Sequence, residues 1–218
     1  MAPMANTASP LLSADRLRCI RGTQSLFADL SLQLSAGQWL YLQGENGAGK
    51  TSLLRILAGL ALPAEGQICW QGVPIGKQRS AYHADMLYLG HHASLKEDLT
   101  LTENLRSLLV MDGIRVSDTA IRDALTRMGL GKRQHLPARV LSAGQKRRGL
   151  LARLLLRPAK LWILDEPFNA LDVNAIADLQ DCLKAHLKHG GLIVLTSHQT
   201  PDLGSDAVGF VLNLSGSR

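Results

Sequence analysis

The sequence contains few aromatic residues, and this scarcity limits what the protein can bind. Phe, Trp and Tyr together make up 4% of 218 residues. Proteins that bind single-stranded nucleic acid stack successive bases on aromatic side chains, and this chain cannot supply such a platform. The net charge is +6, but basic residues are scattered and cluster only at residues 132–133 and 146–148. We expect both clusters to be solvated surface, and we predict no nucleic-acid partner.

Cysteine and long apolar segments are also scarce. The three cysteines, Cys19, Cys69 and Cys182, are widely spaced, which is typical of free thiols in a reducing compartment. No run approaches the ~18 consecutive apolar residues of a membrane-spanning helix, and the N-terminus lacks the pattern of a signal peptide. We expect a chain that does not itself span a membrane. Residues 1–10 are predicted to be a flexible N-terminus, and residues 11–218 a single domain.

The hydrophobic pattern alternates between strands and helices. Residues 11–43 are rich in strand patterns, residues 91–156 are mainly helical, and the strand pattern then returns at residues 161–164, 192–196 and 208–214. Strands that alternate with helices predict an α/β fold with a mainly parallel sheet covered on both faces. The helical stretch is expected to be an inserted lobe.

Residues 44–51 form the motif G-x-x-x-x-G-K-T between a strand pattern and a helical pattern. We call them the phosphate loop. In such a loop, backbone N–H groups converge on phosphates, the lysine reaches the terminal phosphates and the threonine hydroxyl can ligate Mg²⁺. The loop also opens a helix, whose N-terminus favours an anion. The predicted nucleotide-binding residues here are Gly44, Glu45, Asn46, Gly47, Ala48, Gly49, Lys50, Thr51 and Ser52.

A second motif ends a buried strand in two carboxylates, Asp165 and Glu166. Charged groups at the end of a buried strand cost free energy unless a partner such as a metal ion or a water compensates them. We predict that Asp165 holds Mg²⁺ together with Thr51. Glu166 is predicted to orient or deprotonate the water that attacks the terminal phosphate. The alternative is that the strand simply ends in an Asp-Glu turn at the solvent. The presence of the phosphate loop in the same sequence favours the metal and water roles over this alternative.

A third motif, Leu-Ser-Ala-Gly-Gln at residues 141–145, precedes a helical pattern at residues 146–156. We call it the signature segment. Ser142 is a suitable N-cap, and a helix N-terminus can bind an anion. Taken alone, the segment is equally compatible with an ordinary capped helix.

These three motifs, with His198 after a late apolar strand, resemble the Walker A, signature, Walker B and switch motifs of the ATP-binding cassette (ABC) ATPases. The resemblance implies a P-loop NTPase fold with a RecA-like core, at about residues 11–90 and 157–218. The core would have a mixed, mainly parallel sheet and N-terminal antiparallel β strands. The helical lobe, at about residues 91–156, would be inserted into it. The ligands implied are ATP and Mg²⁺, and the activity is ATP hydrolysis coupled to transport.

The same resemblance implies that the signature segment completes the ATP site of a second chain. Two chains would then pair head to tail as a homodimer around two ATP molecules. His198 would contact the γ-phosphate and hold Glu166 and the water in position, and residues 169–172 occupy the place of the family's dimer-contact loop. The residues that would act in trans are Leu141, Ser142, Ala143, Gly144 and Gln145.

Two positions depart from the usual pattern of this family. His91 stands where the family has its Q-loop glutamine, and its imidazole can donate or accept at Mg²⁺-bound water, so we place it among the catalytic residues. No aromatic residue stands near Arg21, where the family usually stacks one on adenine. Arg21 could substitute through guanidinium stacking. Phe27 is a weaker candidate that we expect to pack in the core.

Further residues resemble, with less specificity, the ATP-binding subunits of the haem-handling ABC complexes of cytochrome c biogenesis. They include residues 18–22, 90–92, 95–96 and 141–148. This resemblance implies a peripheral subunit at the cytoplasmic face of a bacterial inner membrane. Its partners would be a membrane-spanning permease subunit of the CcmB kind and haem-handling membrane subunits. ATP hydrolysis would be linked to haem export and release of haem-loaded chaperone.

Other readings of the sequence are open. The chain could serve another ABC importer or exporter, because the cassette itself does not identify its cargo. A soluble ABC remodelling ATPase would typically carry two cassettes or a long coiled-coil insertion, and this sequence has neither. A P-loop kinase or a small GTPase would leave the signature segment unexplained.

Overall fold

The computed structural model describes residues 10–91 and 95–214. Most of the expected flexible N-terminus, residues 1–9, lies outside the described residues, as does His92. In chain order, the strands and helices are β1 (Leu12–Arg21), β2 (Gln24–Leu34), β3 (Gln38–Gln43), α1 (Lys50–Leu57), β4 (Glu65–Trp70), β5 (Val73–Pro74), α2 (Arg79–Asp85), β6 (Met86–Leu89), α3 (Leu101–Met111), α4 (Asp118–Arg127), α5 (Ala143–Leu151), α6 (Arg153–Leu156), β7 (Leu161–Leu164), α7 (Val173–Lys188), β8 (Leu192–Thr196) and β9 (Val208–Asn213).

The strands form two sheets. One has four antiparallel strands in the order β2-β1-β4-β5, and the other has five parallel strands in the order β6-β7-β8-β3-β9. The predicted parallel core and N-terminal antiparallel strands are therefore both present. The antiparallel strands pair with one another in a sheet of their own and do not extend the parallel one.

The parallel sheet is covered on both faces, as its apolar strands predict. Alternate residues of β7 enter different hydrophobic clusters: Leu161 and Ile163 pack with α1 and the antiparallel sheet. Trp162 and Leu164 pack with α3 to α7 on the opposite face. This alternation follows from the two-residue period of a strand.

The segment between β6 and β7 is helical, as predicted. In α3, Leu101, Leu105 and Leu109 recur every four residues and are fully buried. Thr100 caps this helix with a capping box to Glu103. The helices share their hydrophobic cluster with one face of the sheet. The division into core and lobe stays a prediction. Of the helices in the described part of the chain, none has the length and apolar character needed to cross a membrane.

Candidate functional site

The motif residues meet at one edge of the parallel sheet. Strands β3, β7 and β8 are parallel neighbours, so their carboxyl ends lie side by side. Ligands of open α/β sheets bind at this edge. A cavity of ≈ 290 Å³ opens here, which we call the edge cavity. It is lined by Arg21, Leu26, Asn46, Gly47, Gly49, Lys50, Thr51, Ser52, His91, Asp165, Glu166 and His198.

The phosphate loop joins β3 to α1, and its glycines allow its path. Gly47 and Gly49 have φ values of 89° and 97°, in the left-handed region that favours glycine. A Cβ on Gly49 would lie 3.2 Å from the Cβ of Leu26, so this glycine also permits close approach to β2. The Lys50 Nζ folds back and donates to the carbonyls of Gly44 at 2.6 Å and Glu45 at 3.0 Å. Its charge therefore lies over the loop, where an anion would bind.

Asp165 and Thr51 form an oxygen cluster that suits a hard cation. Asp165 is 2% exposed. Its Oδ2 accepts from Thr51 Oγ1 at 2.9 Å, and its Oδ1 accepts from Thr196 Oγ1 at 2.8 Å. Among residues 10–91 and 95–214, no group of three or more His, Cys, Asp or Glu side chains could hold a metal ion. The donor set fits Mg²⁺, which proteins commonly bind through one or two carboxylates, waters and substrate phosphates.

Glu166 is held in an uncommon backbone conformation. Its φ is 50°, a region that costs a non-glycine residue about 1–3 kcal/mol and that surrounding contacts must maintain. Its N–H donates to Thr196 Oγ1 at 2.9 Å, and its carbonyl accepts from Arg147 Nη2 at 2.8 Å. The Glu166 side chain is thereby directed at the edge cavity.

His198 faces Glu166 across the edge cavity. Its Nε2 lies 3.7 Å from Glu166 Oε1, and the imidazole is 65% exposed. The turn before it is anchored because Tyr41, on the neighbouring β3, donates its hydroxyl to the carbonyl of Ser197 at 3.0 Å. His198 can therefore reach both Glu166 and a ligand in the cavity.

Arg147 contradicts our expectation for residues 146–148. We expected a solvated basic cluster, but Arg147 is 6% exposed. The buried residues Leu150 and Leu151 follow Arg147 by three and four positions. Arg147 therefore lies on the inward face of α5. Burial lowers the pKa of its guanidinium, and the nearby carboxylates of Asp165 and Glu166 oppose that shift. Lys146 does reach the surface region, where its Nζ pairs with Glu97 at 2.8 Å.

The signature segment opens α5, as predicted. Ser142 is the N-cap: its hydroxyl accepts from Gln145 N–H at 3.2 Å, and its N–H donates to the Gln145 side chain at 3.0 Å. A Cβ on Gly144 would lie 2.4 Å from the carbonyl oxygen of Ala170. Only glycine fits there, so the signature segment and residues 169–172 of the same chain are packed tightly together.

The structure separates the predicted site residues into two groups. The edge cavity brings together Arg21, His91, His198 and the two carboxylates with most of the phosphate loop. The signature segment is absent from the residues that line it, as are Gly44, Glu45 and Ala48. Phe27 is 7% exposed and packs in the core, as we favoured. The catalytic and binding roles of all these residues stay predictions.

Two residues of the site were missed by the sequence analysis, Thr196 and Arg147. Thr196 ends a strand two residues before His198, and a polar residue at the carboxyl end of a buried strand could have been noted. Arg147 occupies an apolar position in the helical repeat of α5, a pattern that could have identified it as buried.

Comparison with known proteins agrees with this arrangement. A family model described as "ABC transporter" matches residues 27–169. The protein named "Cytochrome c biogenesis ATP-binding export protein CcmA" in Methylococcus capsulatus is 50% identical over 204 residues, covering 94% of this chain and 98% of that relative. A protein of the same name in Nitrosospira multiformis is 48% identical over 199 residues, covering 91% and 97%. A solved dimeric ATP-binding cassette, bound to ADP and Pi, aligns with a TM-score of 0.81 at 19% identity, covering 93% of this chain and 94% of its own. This last likeness shows the fold alone.

The fold, the site and the family match define the class: the chain belongs to the ABC transporter family, as an ATP-hydrolysing subunit. Its high identity to full-length relatives is more specific. The chain belongs to the CcmA family of cytochrome c biogenesis ATP-binding export proteins. The predictions of fold class, family and enzyme class are thereby confirmed.

Proposed function

We propose that the edge cavity is the Mg·ATP site of this subunit and that it works only when two chains pair. The observation that carries the proposal is the convergence of Lys50, Thr51, Asp165, Glu166 and His198 on one cavity at the N-terminus of α1. Lys50 would leave the loop carbonyls to bind the terminal phosphates. Thr51 and Asp165 would hold Mg²⁺, which when bound neutralises charge on the phosphates.

Glu166 is proposed to act as the general base. A base must reach the proton it removes, directly or through one water, and Glu166 lines the cavity while its backbone is fixed by Thr196 and Arg147. His198, 3.7 Å from Glu166, would orient Glu166 and contact the γ-phosphate. His91 would face Mg²⁺-bound water, and Arg21 would stack on the base. All four line the same cavity.

The signature segment is proposed to complete the site of a second chain. It lies outside its own edge cavity, yet it presents exposed Ser142 and Ala143 at a capped helix N-terminus, which favours a phosphate. A two-fold pair gives both chains the same contact. Val173, 82% exposed, follows the loop at residues 169–172 and would be covered in this dimer.

The pair would drive haem export and release of haem-loaded chaperone in cytochrome c maturation. The relatives' name and the family resemblance support this, and they imply a membrane-spanning permease subunit of the CcmB kind together with haem-handling membrane subunits. The chain would then be a peripheral protein at the cytoplasmic face of the bacterial inner membrane.

A groove between core and helices is the proposed docking surface for the permease subunit. It is lined by Leu60, Met111, Asp112 and Arg153, and Met111 is 83% exposed. Tyr88, just before the segment that carries His91, lines this groove as well. A partner seated there could therefore move His91. Met111→Glu should prevent co-purification with the membrane subunits and leave the ATPase activity of the free chain unchanged.

Glu166→Gln tests the proposal. The variant should bind ATP as tightly as the wild type, lose turnover and accumulate an ATP-bound dimer that sedimentation velocity detects. Glu65→Gln, an exposed carboxylate on the antiparallel sheet paired with Arg18, is the matched control and should behave as the wild type. Normal hydrolysis by Glu166→Gln would refute the base assignment. Recovery of the native chain with ribosomes, and not with membrane subunits, would refute the transport role.

A further inference from the structure

Arg147 joins two loops of the edge cavity. Its Nη1 donates to the carbonyl of Gly90 at 2.9 Å, one residue before His91. Its Nη2 donates to the carbonyls of Asp165 and Glu166, both at 2.8 Å, and its Nε donates to that of Pro167 at 3.4 Å. All four acceptors are backbone carbonyls. The guanidinium therefore fixes the paths of these loops through their backbones, and the side chains of Glu166 and His91 line the edge cavity.

The N-terminus of the same helix, α5, carries the signature segment. Arg147 lies three residues beyond Gly144, less than one helical turn away. Helix α5 has little room to move by itself. Gly144 abuts the Ala170 carbonyl, and a Cβ on Gly149 would lie 2.7 Å from the Leu101 side chain. A displacement of the signature segment must therefore be carried along α5 to Arg147.

We propose that Arg147 is a positioning residue that links the signature segment of a chain to Glu166 and His91 of the same chain. The inference rests on the proposed base role of Glu166 and on the proposed action of the signature segment in trans. When nucleotide held by the second chain docks on α5, Arg147 aligns both loops of the first chain for hydrolysis. Arg147 thereby couples the two ATP sites of a dimer.

The chemistry requires arginine at this position. A guanidinium presents five donors in a rigid planar fork, and Arg147 uses three nitrogens on four carbonyls. A lysine keeps the charge but offers one nitrogen, which cannot hold the Gly90 loop and the Glu166 loop in the same geometry. The substitution Arg147→Lys therefore separates positioning from charge.

The test compares Arg147→Lys and Arg147→Gln with the wild type and with Arg122→Lys, an exposed arginine of α4 that serves as the control. Affinity for ATP is measured by equilibrium binding, and hydrolysis is measured against ATP concentration. Both Arg147 variants should keep ATP affinity within about threefold, because the phosphate loop is untouched, and lose about 10- to 100-fold in kcat through misplacement of Glu166. Their Hill coefficients should fall to about one, since the two sites are no longer coupled.

Chemical rescue gives a readout that a purely structural role would not change. A cavity of ≈ 140 Å³ lies beside Arg147 and is also lined by Gly90 and Leu150. Guanidinium at millimolar concentration should restore part of the kcat of Arg147→Ala and leave the kcat of Arg122→Ala, which should already equal that of the wild type, unchanged. Wild-type kcat and cooperativity in Arg147→Lys would overturn the inference, as would a loss of ATP affinity in proportion to kcat. Glu166→Gln, assayed in parallel, separates the failures. If Glu166→Gln hydrolyses ATP normally, the proposed base role of Glu166 is wrong. If Glu166→Gln is inactive while Arg147→Lys is normal, only the inference about Arg147 is wrong.

Discussion

Removing the hydroxyl of Thr196 tests how the two carboxylates of the edge cavity are held. Thr196 is fully buried at the end of β8. Its Oγ1 donates to Asp165 Oδ1 at 2.8 Å and accepts from the Glu166 N–H at 2.9 Å. Thr196→Val replaces the hydroxyl by a methyl group of similar shape, and both residues are β-branched and suit a strand.

The expected magnitude follows from these two hydrogen bonds. The buried Glu166 N–H loses this partner, at a cost of about 1–3 kcal/mol, and Asp165 loses a bond to its carboxylate, worth about 1.5–3 kcal/mol. Burial of the added methyl group returns roughly 1 kcal/mol. We expect the free energy of unfolding to fall by about 2–4 kcal/mol. The kcat for ATP should fall about tenfold or more, because the Glu166 backbone loses the hydroxyl to which its N–H donates.

Urea unfolding and steady-state ATPase assays measure the two effects. Thr196→Ser is the matched control, since it keeps the hydroxyl and loses only the methyl group. The free energy of unfolding of Thr196→Ser should fall by about 1 kcal/mol, and its turnover should stay unchanged. The reasoning would be refuted if the free energy of unfolding of Thr196→Val were within about 0.5 kcal/mol of that of Thr196→Ser and its kcat were unchanged.

Three further predictions concern the loop, the signature segment and the stability of the fold. Lys50→Ala should weaken ATP binding about tenfold or more, and unchanged affinity in a filter-binding assay would remove Lys50 from the site. The Cβ of Gly144→Ala would lie 2.4 Å from a backbone carbonyl oxygen and must displace it. The free energy of unfolding should therefore fall by about 1–3 kcal/mol, and hydrolysis should be lost. A wild-type free energy of unfolding together with wild-type hydrolysis would contradict this packing. His186 stacks on Trp162 with ring centroids 3.6 Å apart, and burial lowers its pKa from 6.5 to about 4. The unfolded chain therefore binds the proton that the folded chain excludes, and stability should fall as pH falls from about 6.5 to 4, by about 2 kcal/mol between pH 7 and 5. His186→Phe should remove this loss in urea titrations, and an identical pH dependence in both proteins would exclude His186 as its cause.

The sequence predicts those parts of the site that are local in the chain. The phosphate loop, the Asp165–Glu166 pair and the capped signature segment each consist of consecutive residues, and one strand or helix fixes each geometry. The parallel pairing of β3, β7 and β8 then brings them together. A strand and helix pattern is therefore enough to place Glu166 near Lys50.

What the sequence does not predict depends on contacts between distant segments. The sequence predicts Arg147 to be a surface residue because it belongs to a basic run. The carbonyls that accept from it are distant in the sequence, at Gly90 and at residues 165–167, and only the fold brings them to its guanidinium. The bridging role of Thr196 depends in the same way on the neighbouring strand. The seven-residue helix α2 was also missed, because it buries one aromatic residue, Tyr82, and lacks an apolar repeat.

The central claim is that the site of one chain is completed by the signature segment of another, and mixing two inactive chains tests it most directly. Ala143→Glu keeps a residue suited to a helix N-terminus and places a negative charge where a phosphate would dock, while Ala143→Gln is the neutral control. Ala143→Glu should bind ATP and not hydrolyse it, and Lys50→Ala should bind ATP about tenfold more weakly or worse and not hydrolyse it. An equal mixture should recover turnover up to about a quarter of the wild-type rate, because half of the random pairs are heterodimers with one intact site of two, and that site lacks the coupling through Arg147. Hydrolysis by Ala143→Glu alone, or a mixture as inactive as its components, would contradict the account.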